Sequence, residues 1–167
     1  THLAKATFRI GLSWPSLSAA LDRDVDPKRW AVLHMGASPE EDAPQDRDIA
    51  LLDRHGAPAG NQAAAMRAID GIILFDGSWS QAKTLWWRNA WVLKCPRLVL
   101  RPTQPSLYGK LRKEPRREGL STLEAAAFTL SRLENRPEIE KTMLSTFRRM
   151  LQRYRSALEP QGAKSAG

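Results

Sequence analysis

Ile72-Ile73-Leu74-Phe75-Asp76-Gly77-Ser78-Trp79 is the stretch that decides the fold class of this chain. Four consecutive apolar residues predict a buried strand, and the acid, glycine and hydroxyl behind them lead into a helical pattern over residues 80–89. A strand ending this way fixes an acid in space, and the glycine lets a ligand come close to the backbone. Working outward, Trp30-Ala31-Val32-Leu33-His34-Met35 reads as another buried strand ending at Gly36. Leu98-Val99-Leu100 is a third, bounded by Pro96 and Pro102, and Ile49-Ala50-Leu51-Leu52-Asp53 admits a fourth. Residues 3–20 read as a helix then a loop, broken at Pro15, residues 38–47 as an acidic surface loop, and residues 61–68 as an alanine-rich helix. Strands separated by helices predict an α/β fold: a mainly parallel sheet with helices on both faces. Ligands in such sheets bind beyond the carboxyl ends of the strands, so the loops 76–79 and 101–120 are the site candidates.

The second half of the chain carries the clearest helix, over residues 121–133. Ser121 and Glu124 form a capping box in which each side chain satisfies a free backbone N–H. Leu123, Ala126, Ala127, Leu130 and Leu133 then share one face. A last helix starts near Pro137, where the missing N–H costs nothing. Its apolar residues Ile139, Met143, Phe147, Met150, Leu151, Tyr154 and Leu158 are expected to face the core. Residues 160–167 read as a frayed, flexible tail, leaving a single domain over residues 1–159.

Composition narrows the function classes. At 167 residues the chain suits one domain with a real core. Its 42% apolar and 26% charged residues exclude wholesale disorder. No apolar run reaches membrane-spanning length, so no membrane role is expected, and the opening Thr1-His2-Leu3-Ala4-Lys5 does not read as a signal peptide. Cys95 is the sole cysteine, which excludes an internal disulfide and a multi-cysteine zinc site and fits a reducing, cytoplasmic setting. A net charge of +8 favours a polyanionic partner, nucleic acid ahead of a membrane surface. The basic residues concentrate at Arg101, Lys110, Arg112, Lys113, Arg116 and Arg117, and again at Arg148, Arg149, Arg153 and Arg155. The second group is equally readable as the solvated face of a helix.

Asp76 leads the candidates for chemistry. An ordinary Asp titrates at about 3.9 and is a weak base at neutral pH, but the apolar run before it and Trp79 after it would desolvate it and raise that value. Asp and Ser are both favoured helix caps; if Ser78 takes the cap, Asp76 is left for chemistry. The long loop from Arg101 through Pro102, Ser106 and Tyr108 runs into the capped helix at Ser121, whose N-terminus favours a ligand carboxylate or phosphate. Of Trp86, Trp87 and Trp91, at least one is expected in the core, while a protruding one would stack on a base. His2, His34 and His55 have no metal-ligand spacing, and neither a Gly-rich dinucleotide motif nor a P-loop is present.

Three segments together resemble the DTW-domain family of tRNA-uridine aminocarboxypropyltransferases: Asp76-Gly77-Ser78-Trp79-Ser80-Gln81-Ala82, where the family has Asp-x-Thr-Trp; Ser106-Leu107-Tyr108 followed by Lys110, Arg112, Lys113 and Pro115; and Leu120-Ser121-Thr122-Leu123-Glu124-Ala125. The likeness spans roughly residues 30–133. Ser78 replaces the family's Thr and keeps its hydroxyl, and the family's cysteine-containing segment and further strand would precede Thr1. The resemblance implies a SPOUT-like fold with a C-terminal trefoil knot, and transfer of the 3-amino-3-carboxypropyl group of S-adenosylmethionine to N3 of a tRNA uridine. It implies catalytic roles for Asp76 as base with Ser78 and Trp79 beside it. It implies cofactor binding by Leu100, Arg101, Pro102, Ser106, Tyr108, Arg112, Leu120, Ser121, Thr122 and Glu124. Monomer and homodimer both stay open. The alternatives are an RNA methyltransferase of the same fold and a non-catalytic RNA-binding domain.

Overall fold

Among the described residues four strands make one sheet in the order β2-β4-β1-β3, built from β1 (Trp30–Leu33), β2 (Ile49–Leu52), β3 (Gly71–Ile73) and β4 (Arg97–Leu100). The computed structural model describes residues 6–34, 48–101, 104–108 and 120–158, without the side chains of Trp79 and Leu158. The acidic loop expected over residues 38–47, the basic residues 110–117 and the tail lie outside the described residues. The chain divides into two compact units, Thr1–Thr103 and Gln104–Gly167.

The first unit is the mixed α/β body that the strand and helix alternation predicts. Strand β1 pairs parallel with both β3 and β4, whereas β2 runs antiparallel on the outer edge of β4. The period-2 alternation of a strand sends neighbours to opposite faces. Trp30 and Val32 thus enter one core with Leu17, Ala20, Trp91, Val92 and Cys95, while Ala31, Leu51 and Leu98 form another with Ala65, Met66 and Ile72 packed against it. The helices α1 (Leu17–Leu21) and α3 (Trp79–Arg88) serve the first core through Leu17, Ala20 and Trp86, and α2 (Gln62–Arg67) serves the second. Both faces are covered, as expected.

Two close approaches fix the sheet. Gly71 lies opposite Trp30, and a Cβ there would come within 2.5 Å of the Trp30 ring, so the strand register depends on the missing side chain. The buried Gln62 side chain accepts a hydrogen bond from Leu51 N at 2.7 Å and donates to Leu51 O at 2.8 Å. The amide acts as a one-residue strand partner and closes that part of the β2 edge to outside pairing.

Residues 6–16 are not helical, against expectation. The helix begins only at Leu17, where Ser16 Oγ caps it by accepting from Ala19 N. Asn89, fully buried at the end of α3, ties down the segment ahead of α1: its Oδ1 accepts from Trp14 N at 2.9 Å and its Nδ2 donates to Leu12 O at 3.2 Å. A tertiary polar anchor overrides the local helical pattern there.

The second unit contains α4 (Thr122–Leu133) and α5 (Pro137–Leu158), packed on each other. Their bounds match the sequence reading, but the burial does not follow a single stripe. Glu124, Ala125, Phe128, Thr129 and Ser131 are buried, while Leu123, Ala126, Leu130 and Leu133 are only half-buried. On α5, Phe147 and Leu151 are buried but Met150 and Tyr154 are half exposed. With 22 residues against 12, α5 outruns α4 by roughly 15 Å at 1.5 Å per residue, and its far end lacks that helix as a partner.

Candidate functional site

Asp76 stands three residues beyond β3, at the carboxyl end of the parallel strands, and is exposed there rather than desolvated by the apolar run before it as expected. The cap is Ser78. Its Oγ accepts from Gln81 N at 3.3 Å, and Gln81 Oε1 accepts from Ser78 N at 2.8 Å, a complete capping box. Gly77, at φ +139°, belongs to this box: a Cβ there would meet Gln81 Oε1 at 2.9 Å. The glycine expected to admit a ligand admits Gln81 instead. The spacing of Ser78 and Gln81 is itself a sequence signal for this cap. Trp79 is the first residue of α3, and the role expected of its side chain lies outside the described residues.

His34 comes to the same strand ends. In the register that pairs Val32 with Ile73, it falls beside Phe75, and both rings lie edge-on to Trp86, at 6.5 Å and 6.4 Å. Burial, and then the Arg97 charge, hold its imidazole below its ordinary pKa, and its Nδ1 is buried with no hydrogen-bond partner among the described residues. The sequence reading had His34 packed within its strand; the structure puts it just past the end of β1, one residue out of register from Asp76.

The tryptophans separate sharply because α3 stops at Arg88. Trp91 falls in a following 3-10 turn, buried, with its Nε1 donating to Trp14 O at 3.1 Å; Trp86 packs against the core; Trp87 is 79% exposed. Leu100 and Arg101 are half-buried at the end of β4, and Arg101 N donates to Asp48 O at 2.8 Å. Pro102 and Arg112 lie outside the described residues.

In the second unit the buried Glu124 carboxylate ties the candidate loop to the start of α4. Its Oε2 accepts from Ser106 Oγ and from Ser121 N, each at 2.8 Å, and its Oε1 accepts from Leu107 N at 2.6 Å. Ser106 Oγ in turn accepts from Tyr108 N at 3.2 Å, and Ser121 Oγ accepts from Glu124 N at 3.1 Å. The Tyr108 ring meets Phe147 edge-on at 5.2 Å. Ser106, Tyr108, Leu120, Ser121, Thr122 and Glu124 are thereby one local assembly, with Leu107, Tyr108, Leu120 and Thr122 half-buried at its surface. Glu124 faces inward and holds the assembly together. A separate concavity of about 560 Å³ lies at the α4–α5 turn, lined by Arg132, Asn135, Glu140 and Arg148 among others, and includes none of these residues.

Residues 14–155 match the DTW domain. The chain belongs to the DTW domain family. Within that match lie both the Asp76 turn and the Glu124 assembly of this DTW-family chain. Proteins of Macaca fascicularis and Mus musculus, each named tRNA-uridine aminocarboxypropyltransferase 2, are 41% identical to it over 73 residues. That stretch is 44% of this chain and about a quarter of the length of the curated relatives, 24% in each case. No solved structure matches the chain.

Proposed function

We propose that this DTW-family chain transfers the 3-amino-3-carboxypropyl group of S-adenosylmethionine to N3 of a uridine in tRNA. The observation that carries the proposal is the position of Asp76, at the strand ends and two residues ahead of a helix whose capping box is made by Ser78 and Gln81. The names of the mammalian relatives support the same reaction.

S-adenosylmethionine, when bound, supplies a sulfonium-activated carbon for attack and leaves as methylthioadenosine. The residues present fit it in donor chemistry. Leu107, Tyr108 and Leu120 are half-buried, suiting the flat faces of an adenosine, and the adjoining α4 N-terminus suits a carboxylate. Tyr108 is held by Ser106 and Phe147 to orient the amino acid end, and Glu124 positions rather than contacts. Uridine N3–H must lose its proton as the new N–C bond forms. Asp76 accepts that proton, and the capping box at Ser78 and Gln81 fixes the turn that carries it. A SPOUT-like fold with a C-terminal trefoil knot goes with this reading.

The test uses unmodified tRNA and two preparations of S-adenosylmethionine, labelled in the methyl or in the aminocarboxypropyl group. Label entering tRNA only from the second is the expected result. Label from the methyl group would make the protein a methyltransferase, and retention of RNA without either label would make it a binding module.

A further inference from the structure

Trp87 is an anomaly in this fold. A tryptophan that is 79% exposed, in a unit that buries Trp30 and Trp91, forgoes a large burial gain. It sits on the outward side of α3, whose exposed residues Ser80, Lys83, Thr84 and Trp87 recur at three- and four-residue steps. Arg88 and, in the following 3-10 turn, Leu93 and Lys94 are also exposed. Among the described residues, none of Lys83, Arg88 and Lys94 is in an ion pair.

The charge pattern identifies the partner chemistry. Between Asp76 and Glu114 the sequence contains no acidic residue, while Lys83, Arg88, Lys94, Arg97, Arg101, Lys110, Arg112 and Lys113 are all basic. An exposed aromatic plane set among cations, with no carboxylate on its own helix, complements a polyanion that carries flat rings. A protein surface with acidic side chains would satisfy the charges but not the isolated indole. The helix is also rigidly held: the Ser78–Gln81 box fixes its start, and Asn89 Nδ2 donates to Leu85 O at 2.7 Å near its end. Trp87 lies eight residues from the start of α3, about 12 Å along the axis, so the strip begins beside the Asp76 turn.

We infer that the outward side of α3, together with the exposed end of the 3-10 turn that follows it, is an RNA-docking strip in which Trp87 stacks on an unpaired base while Lys83, Arg88 and Lys94 hold the neighbouring phosphates. This inference builds on the proposed tRNA substrate but concerns docking alone, and so can be tested without the transfer reaction.

The probe is an end-labelled, unmodified tRNA transcript, titrated with the full chain and read by fluorescence anisotropy across a salt series, with no S-adenosylmethionine present. Trp87→Ala is expected to weaken binding about 5- to 140-fold, the range for losing one aromatic–base stack. Trp87→Phe, which keeps a ring, should recover most of that loss. Replacing Lys83, Arg88 and Lys94 together by Ala should lower the slope of log affinity against log salt by about 2–3. Unchanged affinity in Trp87→Ala overturns the inference and leaves the face to a protein partner. Equal losses in Trp87→Ala and Trp87→Phe also overturn it, because stacking tolerates the exchange of rings. Should Trp87→Ala fail to fold, the Phe variant and the salt slope of the triple variant decide the matter. Trp87-dependent binding by a protein that transfers nothing sustains this inference and defeats the proposed reaction; efficient transfer with Trp87-independent binding does the reverse.

Discussion

Replacing Glu124 by Ala probes the buried carboxylate that ties the loop at Ser106 and Leu107 to the start of α4. The carboxylate is buried, 5% exposed, and accepts from Ser106 Oγ, Leu107 N and Ser121 N. Truncation strands two backbone donors, Leu107 N–H and Ser121 N–H, because neither has another acceptor within the capping box. A buried donor left unmade costs about 1–3 kcal/mol, and with the half-buried Leu107 N–H at the low end of that range the sum is roughly 2–4 kcal/mol. Against a typical domain stability of about 5–15 kcal/mol this is a large loss. Glu124→Gln keeps the volume and one acceptor oxygen, but turns an NH₂ toward a donor, and should cost about half as much. Equilibrium urea unfolding followed by far-UV circular dichroism gives the size of the loss. Hydrogen exchange at the Leu107 and Ser121 amides shows whether it is local, since the carboxylate ties a loop to one helix end. The expected order of stability is wild type, Gln, Ala, with both amides losing protection in Ala. An Ala variant within about 0.5 kcal/mol of wild type, with both amides still protected, would refute the tie.

Three further outcomes follow from the first unit. Asn89→Ala removes the buried acceptor of Trp14 N–H and the donor to Leu12 O and Leu85 O, and should destabilise by roughly 2–4 kcal/mol in a thermal melt. Cys95 is 1% exposed, and burial first and Asp26 second push its thiol up to about 12, so it should resist thiol reagents in the native protein and react only at the rate of unfolding. Rapid labelling of native protein would contradict that burial. His34 has its pKa lowered by burial, so below about 6.5 the unfolded chain takes up a proton that the fold resists. Stability should therefore fall as pH drops through and below that value, and His34→Gln should flatten the fall in urea midpoint; an unchanged pH profile would show that His34 does not titrate differently on folding.

Signals that are local in the chain were legible before the structure. The Ser121–Glu124 box, Pro137 at the head of α5, the helix following Asn61 and the apolar strands all declare themselves within a few residues. The Ser78–Gln81 box was equally local and settles whether Asp76 or Ser78 is the cap. Other features depend on partners far along the chain. Residues 6–16 are not helical because Asn89 binds Leu12 and Trp14 from 75 or more positions away, which no window of local pattern contains. The fates of Trp86, Trp87 and Trp91 follow from where α3 stops, and helix ends are the least readable part of a periodic pattern. The antiparallel setting of β2 is a choice of direction that an apolar tetrapeptide does not encode. The role of Glu124 was half legible: its spacing to Ser121 announces a cap, but its hold on Ser106 and Leu107 requires the folded loop.

The most direct test of the proposed chemistry compares wild type with Asp76→Ala, each incubated with unmodified tRNA and S-adenosylmethionine, by mass spectrometry of the released nucleosides. The account predicts aminocarboxypropyl-uridine and methylthioadenosine from the wild type. From Asp76→Ala it predicts neither, with S-adenosylmethionine binding retained because Asp76 is assigned to the proton and not to the donor. Transfer by Asp76→Ala at the wild-type rate would contradict it.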